Sequence, residues 1–479
     1  DNLYFTRYKN YTSDERNRIM GKVSLTYDIN DWLNIMGRIT VDDYRELREE
    51  RRAVGSVPTE FGVNHLDEPS GYNRKDIVTS EYNMDLFLTA DRDITDNLSF
   101  YGLLGANIRR NNFESNRNST QGGIVVPDLY ALSNSALPLP TPVEIDQRKE
   151  VYGYFTNLNF GFNNFLYLDL VGRVDISSAL PVDNNTYPYG SASLGWVFSE
   201  HLNSNWLTFG KLRGSWATVG NDTGPNRTTD VFIKSDNFGE AVMFSTSNTK
   251  RNDQLKPERT NSIEFGLEGA AWEGRLRLDA AVYKTNTTDQ IVTIATSLPT
   301  GYSFKVLNGG EIQNQGIELS LGGDIIRAGA FTWSMDINWS KNISEVLSLP
   351  GVDNYVIDSY QGGITTNITV GEPYGVLRGT GFEYIDGQPV VQADGKRYKA
   401  VADQIIGDPN PDWNGGMYNT ITYKGLRLGF LIDMSRGGDV YSLDMHYGQG
   451  TGLPYYTAGL NELGNPVRDP VDEGGGRIL

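Results

Sequence analysis

Apolar residues alternate with polar ones along segments much longer than the strands of ordinary soluble sheets. Between residues 17 and 29, apolar or small residues fall at every second position, and charged or hydroxyl residues fill most of the others. The apolar set is Ile19, Gly21, Val23, Leu25, Tyr27 and Ile29. A period of two residues is that of a β-strand, whose successive side chains point to opposite faces. The alternation therefore predicts a strand with one apolar and one polar face.

The alternating segments come in pairs joined by very short turns. A second segment starts at Leu33 after Asp31 and Trp32, and residues 82–92 are followed by a matching segment at 98–110. Further pairs turn at 162–164, 272–274, 327–330 and 424–425. Two alternating runs with a short polar or glycine-containing turn indicate a β-hairpin. Counted this way, the chain contains about sixteen candidate strands.

Long polar stretches separate the pairs, at residues 45–80, 111–147, 221–257, 342–373 and 436–479. Transmembrane barrels have short turns on the periplasmic side and long loops outside. Propellers and sandwiches also alternate, but their strands are shorter and their connections lack this rhythm. The fold class predicted is therefore all-β, a transmembrane antiparallel β-barrel with short periplasmic turns and long extracellular loops.

Composition narrows the possible chemistry. The chain has 479 residues and no cysteine, which excludes disulfides and thiolate chemistry. The formal charge of −18 would repel a phosphate backbone, so no nucleic-acid partner is expected. Apolar runs such as "LGFLI" are far too short for a transmembrane helix.

Nine segments, in this order, resemble the barrel of the SusC/RagA-type TonB-dependent outer-membrane transporters. They are "DNLYFTRYKN", "GKVSLTYDINDWLNIMGR", "YGYFTNLNFGFNNFLYLDLVGRVD", "SASLGWVFSE", "KLRGSWATVGND", "LKPERTNSIEFGLE", "DAAVYKTNTTDQI", "NGGEIQNQGIELSL" and "GDPNPDWNGGMYNTITYKGL". The resemblance implies that residues 1–479 are part of a 22-stranded barrel domain. It also implies a plug and an N-terminal regulatory domain, neither of which is seen ahead of Asp1, and last strands that are not seen after Leu479.

The same resemblance implies a location and partners. The location is the outer membrane of a Gram-negative bacterium, where the barrel contacts outer-membrane lipid. A SusD-like surface lipoprotein would capture the ligand, and the TonB–ExbB–ExbD complex would supply energy through the missing N-terminal region. The implied function is import of an oligosaccharide or a peptide, without a cofactor.

Aromatic residues in the long connections are the candidate contacts for a ligand or a partner, because flat rings stack on sugars and pack against proteins. Packing of the loops on themselves is the competing explanation for each of them. The candidates are Tyr72, Tyr130, Tyr187, Phe238, Tyr302, Tyr360 and Tyr447. Carboxylates on the polar faces of strands are expected to line the lumen rather than to act as a glycosidase pair. They are Asp42, Asp85, Asp91, Asp175 and Asp279.

No catalytic or metal site is predicted. Oxygen-bearing side chains occur at every second position from Asp408 to Asn414, but Trp413 and Asn419 stand where a calcium loop of the EF-hand type needs glycine and glutamate. We therefore expect a stiff entry into a strand. The histidines are His65, His201 and His446, none in a metal-ligand spacing or a recognisable catalytic arrangement.

Three rival functions remain open at this stage. One is a TonB-dependent siderophore or cobalamin receptor, which shares the barrel. The second is an outer-membrane barrel enzyme, which would need one of the histidines beside a serine. The third is a secreted adhesin or propeller. An enzyme is not expected, because no catalytic constellation is present.

Overall fold

The computed structural model describes residues 3–56, 69–392, 398–461 and 463–476. Strands dominate this part of the chain. Among the described residues, no helix is both long and apolar enough to cross a membrane.

The first half of the chain, after the short helix α1 (Leu3–Lys9), consists mostly of long strands. Their bounds are β1 (Tyr11–Asn30), β2 (Leu33–Arg52), β3 (Gly71–Thr95), β4 (Leu98–Ser119), β5 (Gln121–Ile124), β6 (Ser135–Leu137), β7 (Val143–Phe162), β8 (Leu166–Ser177), β9 (Thr186–Trp196), β10 (Leu207–Asn221), β11 (Phe232–Phe238), β12 (Ala241–Thr246) and β13 (Thr249–Lys250). Short 3-10 helices lie at Leu132–Asn134, Val182–Asn184 and Phe198–His201.

The second half mixes long strands with shorter ones in the connections. The bounds are β14 (Glu258–Ala271), β15 (Leu276–Thr288), β16 (Ile291–Ala295), β17 (Phe304–Asn308), β18 (Glu311–Ala328), β19 (Phe331–Ser348), β20 (Asn354–Tyr360), β21 (Ile364–Thr369), β22 (Val376–Phe382), β23 (Tyr384–Ile385), β24 (Gln388–Pro389), β25 (Ala400–Gly407), β26 (Pro411–Tyr423) and β27 (Leu426–Gly437). Helix α2 spans Leu443–Thr451, and 3-10 helices lie at Leu298–Thr300, Tyr455–Thr457 and Val471–Glu473.

Within the described residues, fourteen strands form one sheet in the order β1-β2-β3-β4-β7-β8-β9-β10-β14-β15-β18-β19-β26-β27. Neighbouring strands of this sheet pair in antiparallel orientation, among them β1 with β2, β7 with β8 and β26 with β27. The strands of this sheet follow one another in chain order, which is the arrangement that successive hairpins produce. The hairpins predicted from the alternating segments are confirmed.

The hairpin turns rest on residues that accept a left-handed backbone. Asn163 and Asn164 have φ of 50° and 58° between β7 and β8, and Lys424 and Gly425 have φ of 46° and 87° between β26 and β27. Two successive positive φ values give the type of two-residue turn that matches the twist of paired strands. Asparagine and glycine tolerate this conformation best.

Several stretches predicted as long connections are strand over much of their length. β2 continues to Arg52 and β3 begins at Gly71, so half of the predicted connection 45–80 is paired strand. Likewise β4 runs to Ser119 and β7 begins at Val143, within the predicted connection 111–147. In these extensions both faces carry polar side chains. The apolar alternation therefore ends while the hydrogen-bonded ladder continues.

The apolar residues of the long strands share one exposed face. Leu25 is 78% exposed and lies opposite Gly37, which in turn lies opposite Leu86. The neighbouring row contains Thr26, Met36 and Phe87, whose side chains point to the other face. We call the first the apolar face and the second the polar face.

The chain divides into two compact units. The first comprises Asp1–Trp196, Ser215–Thr260 and Asp289–Asn308, and its connections pack around the buried residues Leu180, Tyr187, Leu255 and Val306. The second comprises Val197–Gly214, Asn261–Thr288 and Gly309–Leu479, with a buried cluster of Ile312, Val346 and Ile368. Both clusters draw on residues of the connections as well as of the sheet.

Candidate functional site

The polar face of the first unit carries an ion pair that spans neighbouring strands. Arg38 of β2, Asp85 of β3 and Asn107 of β4 lie directly opposite one another. The Arg38 guanidinium donates to Asp85 at 2.7 Å, and Asn107 Nδ2 donates to Asp85 Oδ1 at 2.6 Å. The Asp85 side chain is only 8% exposed. Its charge is therefore compensated within the sheet.

Two phenylalanines continue this site along the same face. Phe87 and Phe155 meet edge to face with their ring centroids 6.0 Å apart. The Arg38 guanidinium lies 5.1 Å from the Phe87 centroid, and that of Arg173 lies 5.1 Å from the Phe155 centroid. A Cβ atom at Gly105 would come within 2.3 Å of the Phe155 ring. Because Gly105 has no side chain, the Phe155 ring can lie flat over the strand at this position.

Arg173, which contacts the Phe155 ring, forms an ion pair with another carboxylate, that of Asp175. Arg173 Nε donates to Asp175 Oδ1 at 2.8 Å, and the Tyr189 hydroxyl donates to Asp175 Oδ2 at 2.5 Å. The rings of Tyr187 and Tyr189 are stacked at 6.0 Å. The polar face thus alternates ion pairs with aromatic rings, a surface that can contact both the polar and the flat parts of a solute.

In the second unit, one arginine holds three carboxylates. Arg213 of β10 contacts Glu264 and Glu268 of β14 and Asp279 of β15, at 3.4, 2.9 and 2.9 Å. Lys211 adds a fourth contact, to Glu268 at 3.2 Å. Three carboxylates against two cations leave this cluster with one excess negative charge. The polar-face placement predicted for Asp85, Asp175 and Asp279 is confirmed, and each has an arginine partner.

Sequence reasoning missed those arginines as members of the site. Arg38, Arg173 and Arg213 occupy polar-face positions in alternating segments, as many lysines and threonines do. What distinguishes them is the residue opposite on the next strand, which depends on the strand register. Once the short hairpin turns fix the register, the pairing of Arg38 with Asp85 follows from residue counting.

The predicted aromatic residues Tyr72 and Tyr130 belong to one cluster at the end of β2 and β3. The buried Tyr72 hydroxyl donates to Glu49, and Glu49 accepts a second hydrogen bond from Arg51 at 2.9 Å. The Arg51 guanidinium lies 5.7 Å from the Tyr130 ring centroid and donates to the Tyr11 hydroxyl at 2.5 Å. Tyr72 is a strand residue rather than a loop residue, so its predicted loop position is wrong.

Electrostatics in this cluster keep the Glu49 carboxylate charged and the tyrosine hydroxyls neutral. The hydrogen bond from Tyr72, with help from Arg51, holds the pKa of the Glu49 carboxyl below its ordinary value. Burial and the same hydrogen bond raise the pKa of the Tyr72 hydroxyl. Burial likewise raises the pKa of Tyr130. The cluster is therefore a neutral tyrosine pair around a fixed ion pair, a stabilising arrangement for the strand extensions.

Tyr187 is also buried within the fold. It lies in β9, is 6% exposed and packs against Leu180, Leu255 and Val306. Its predicted loop position is wrong, because the strand begins at Thr186. A buried ring in a hydrophobic cluster has little surface to offer a ligand.

The other four predicted aromatics are separate from one another. Phe238 ends β11 and is 81% exposed, and Tyr360 ends β20 and is half exposed. The Tyr302 ring lies 5.5 Å from Lys250 Nζ, and Tyr447 lies in α2, where its ring meets that of His446 at 5.2 Å. Phe238, Tyr360 and Tyr447 thus lie in short strands or a helix of the long connections. A binding role for the seven residues stays a prediction.

The histidines and the oxygen-rich segment form no catalytic group in the part of the chain that the structure describes. His65 lies outside the described residues, His201 ends a 3-10 helix, and His446 stacks among tyrosines. The Asp408 side chain accepts from Asn410 backbone N–H at 2.9 Å, and Asn410 Nδ2 donates to the Tyr374 carbonyl at 3.0 Å. Within the described ranges, no cluster of three or more potential ligands could hold a metal ion.

Known proteins match this chain over most of its length. The model of the TonB-dependent receptor-like β-barrel family matches residues 1–462. TonB-dependent receptor P26 of Formosa agariphila is 27% identical over 471 residues, which cover 90% of this chain and 46% of the relative. TonB-dependent receptor SusC of Bacteroides thetaiotaomicron is 27% identical over 218 residues, which cover 43% of this chain and 22% of SusC.

A solved structure gives the same fold. The RagAB peptide importer in the open-open state superimposes with a TM-score of 0.76 at 20% identity, covering 91% of this chain and 48% of that chain. The present chain thus spans about half the length, or less, of the proteins it matches. From the family match over residues 1–462, the chain belongs to the TonB-dependent receptor-like β-barrel family.

Proposed function

We propose that the full-length protein is a TonB-dependent importer of the outer membrane that moves an oligosaccharide or a peptide inward with a SusD-like surface lipoprotein. The observation that carries the proposal is the family match over residues 1–462. Similarity to the RagAB peptide importer supports a peptide or a similar polar oligomer rather than a metal chelate as the cargo. The superposition on RagAB, with a TM-score of 0.76, exceeds that on the siderophore receptor PiuA, with 0.51.

The polar face of the first unit suits this role because its ion pairs are compensated. Arg38 with Asp85 and Arg173 with Asp175 present hydrogen-bonding groups without a strong net field. A face of this kind, lining the lumen, would hold water along a path for polar solutes. Its paired charges would not bind free ions tightly. The half-buried Phe155 between the pairs offers flat apolar surface to sugar rings or peptide side chains.

We propose that partners of the full-length protein supply the energy for import and capture the ligand. We propose that the TonB–ExbB–ExbD complex acts through the N-terminal region of the full-length protein and that the lipoprotein covers the long connections. Exposed aromatics such as Phe238 and Tyr360 are the contacts we propose for the lipoprotein or the ligand. We propose no covalent chemistry, so the cargo would be recovered intact.

The test is uptake by cells of the source bacterium. Deleting the gene should abolish accumulation of a labelled oligosaccharide or peptide supplied in the medium, and deleting the TonB gene should have the same effect. Affinity purification of the full-length protein from outer membranes should recover a surface lipoprotein. Uptake that continues in both deletion strains, or a requirement only for ferric siderophores or cobalamin, would contradict the proposal. Cleaved cargo at the cell surface would contradict the absence of chemistry.

A further inference from the structure

A groove of about 330 Å³ lies in the second unit where β14, β15, β18 and β19 approach their hairpin turns. Its walls are mainly apolar and include Leu276, Leu321, Met335 and Ile337. These residues occupy the apolar face, since Leu276 and Leu321 alternate with the polar-face residues Arg277 and Gly322. The groove is therefore continuous with the surface that the barrel fold presents to lipid.

The groove exists because one cross-strand row lacks its middle side chain. Gly323 of β18 lies opposite Leu276 of β15 on one side and opposite Met335 of β19 on the other. A Cβ atom at Gly323 would come within 2.3 Å of the Arg275 carbonyl oxygen. An irregularity of the ladder between Asp324 and Ile326 fixes the backbone in this position. The gap is thus a permanent feature of the strand, not one that a rotamer change closes.

The border of the groove at the turn carries a cation and an aromatic pair. Arg275 and Trp272 are both exposed and both line the groove. The Trp272 ring packs on that of Trp206 with centroids 6.3 Å apart. Tryptophans at strand ends mark the level of the lipid headgroups in membrane barrels.

No acidic group neutralises Arg275 in the part of the chain that the structure describes. Asp324, which also lines the groove, accepts a hydrogen bond from Ser334 at 2.6 Å and forms an ion pair with Arg327, and Asp336 binds Arg277 at 2.8 Å. The Arg275 guanidinium is thus free to accept an anion from outside the protein. Arginine matches phosphate geometry with two parallel hydrogen bonds.

We propose that this groove binds one glycerophospholipid molecule, with an acyl chain along Leu276, Leu321 and Ile337 and the phosphate on Arg275. The apolar walls suit a hydrocarbon chain, and the adjacent cation suits a headgroup that carries one negative phosphate. The short turns place the groove in the periplasmic leaflet, where glycerophospholipid rather than lipopolysaccharide is the surrounding lipid. Lipid held there would fix the depth of β15, β18 and β19 in the membrane.

Two variants separate the acyl and phosphate contributions, and each has a matched control. Leu321→Trp fills the groove, whereas Ile317→Trp adds the same ring on the apolar face of the same strand, outside the groove. Arg275→Gln removes the cation, whereas Arg427→Gln removes a cation near another hairpin turn. Heat-dependent migration on gels identifies the variants that fold.

The measurement is native mass spectrometry of the full-length protein in detergent, titrated with phosphatidylethanolamine, phosphatidylglycerol or lipid A. The wild type and both controls should retain one glycerophospholipid, and Leu321→Trp and Arg275→Gln should each weaken retention about tenfold, the equivalent of one lost hydrogen-bonded contact. Equal retention by groove variants and controls would overturn the proposal. So would retention of lipid A alone, or loss of all lipid from the wild type.

Discussion

Placing an arginine on the apolar face tests which side of the sheet meets lipid. Leu25 is the fourth of six apolar-face positions from Ile19 to Ile29, and its side chain is 78% exposed. The midpoint of this run is one residue away, about 3 Å at the rise of a strand. Leu25 therefore lies close to the middle of the hydrocarbon layer, where the cost of a charge is greatest.

The expected cost of Leu25→Arg is about 2–4 kcal/mol, the range for arginine at the bilayer midplane of a β-barrel. That cost corresponds to a reduction of the folding equilibrium constant by about 30-fold to 900-fold. Thr26→Arg is the matched control: it lies at the same depth but faces Met36 on the polar side. We expect it to cost less than about 1 kcal/mol, since long cations are ordinary on that side.

The assay is reversible urea unfolding of the full-length protein in phospholipid vesicles, followed by tryptophan fluorescence and by heat-dependent migration on gels. Leu86→Arg repeats the test in β3, where Leu86 lies opposite Gly37 at nearly the same depth. Equal losses for Leu25→Arg and Thr26→Arg, or a larger loss for Thr26→Arg, would refute the assignment of faces.

Three further predictions follow from contacts at the polar face and at the strand extensions. Gly105→Val should destabilise the protein by about 1–3 kcal/mol in urea unfolding, because its Cβ would displace the Phe155 ring, while Gly37→Val, with open space around it, should be neutral. Because the folded chain lowers the pKa of Glu49, its stabilising contribution is complete above the pKa of the unfolded chain and is lost as the pH falls through the folded value; melting profiles of Glu49→Gln should show a weaker dependence on acid. Arg213→Met should cost about 1–3 kcal/mol in urea unfolding at pH 7, because it removes the cation that contacts all three carboxylates; an unchanged stability would contradict this.

The hairpins and the two faces could be predicted because lipid on one side imposes a strict alternation. A one-residue shift would turn Leu25 and its neighbours to the polar face, so register and alternation depend on each other. The alternation stops where the apolar layer stops, at about Val41 in β2. Beyond that point both faces of β2 are polar, and the ladder to Arg52 has no hydrophobic signature. The sequence therefore predicts a loop over the end of β2, where the structure has a paired strand.

The loop positions predicted for the aromatic candidates follow from the same wrong boundary between strand and loop. The sequence predicts loop positions for Tyr72 and Tyr187, but both lie just inside strands, where a ring packs against the connections and is buried. The same reasoning predicts a loop position for Phe238, which is exposed at the end of β11; within the described residues, β11 pairs only with β12. Burial depended on contacts between segments far apart in sequence, such as Tyr187 with Leu255.

Glycines on the polar face explain why the ion pairs of its arginines are hard to predict from the sequence. A Cβ at Gly153 would come within 2.3 Å of Arg173, and one at Gly266 within 2.4 Å of Arg213. Each guanidinium thus lies flat across a neighbouring strand in space that only glycine leaves. In a single sequence such a glycine indicates a weak strand or a bulge. Here it belongs to a cross-strand ion pair, so replacing it would displace the arginine, release the carboxylate partner and turn a compensated face into a charged one.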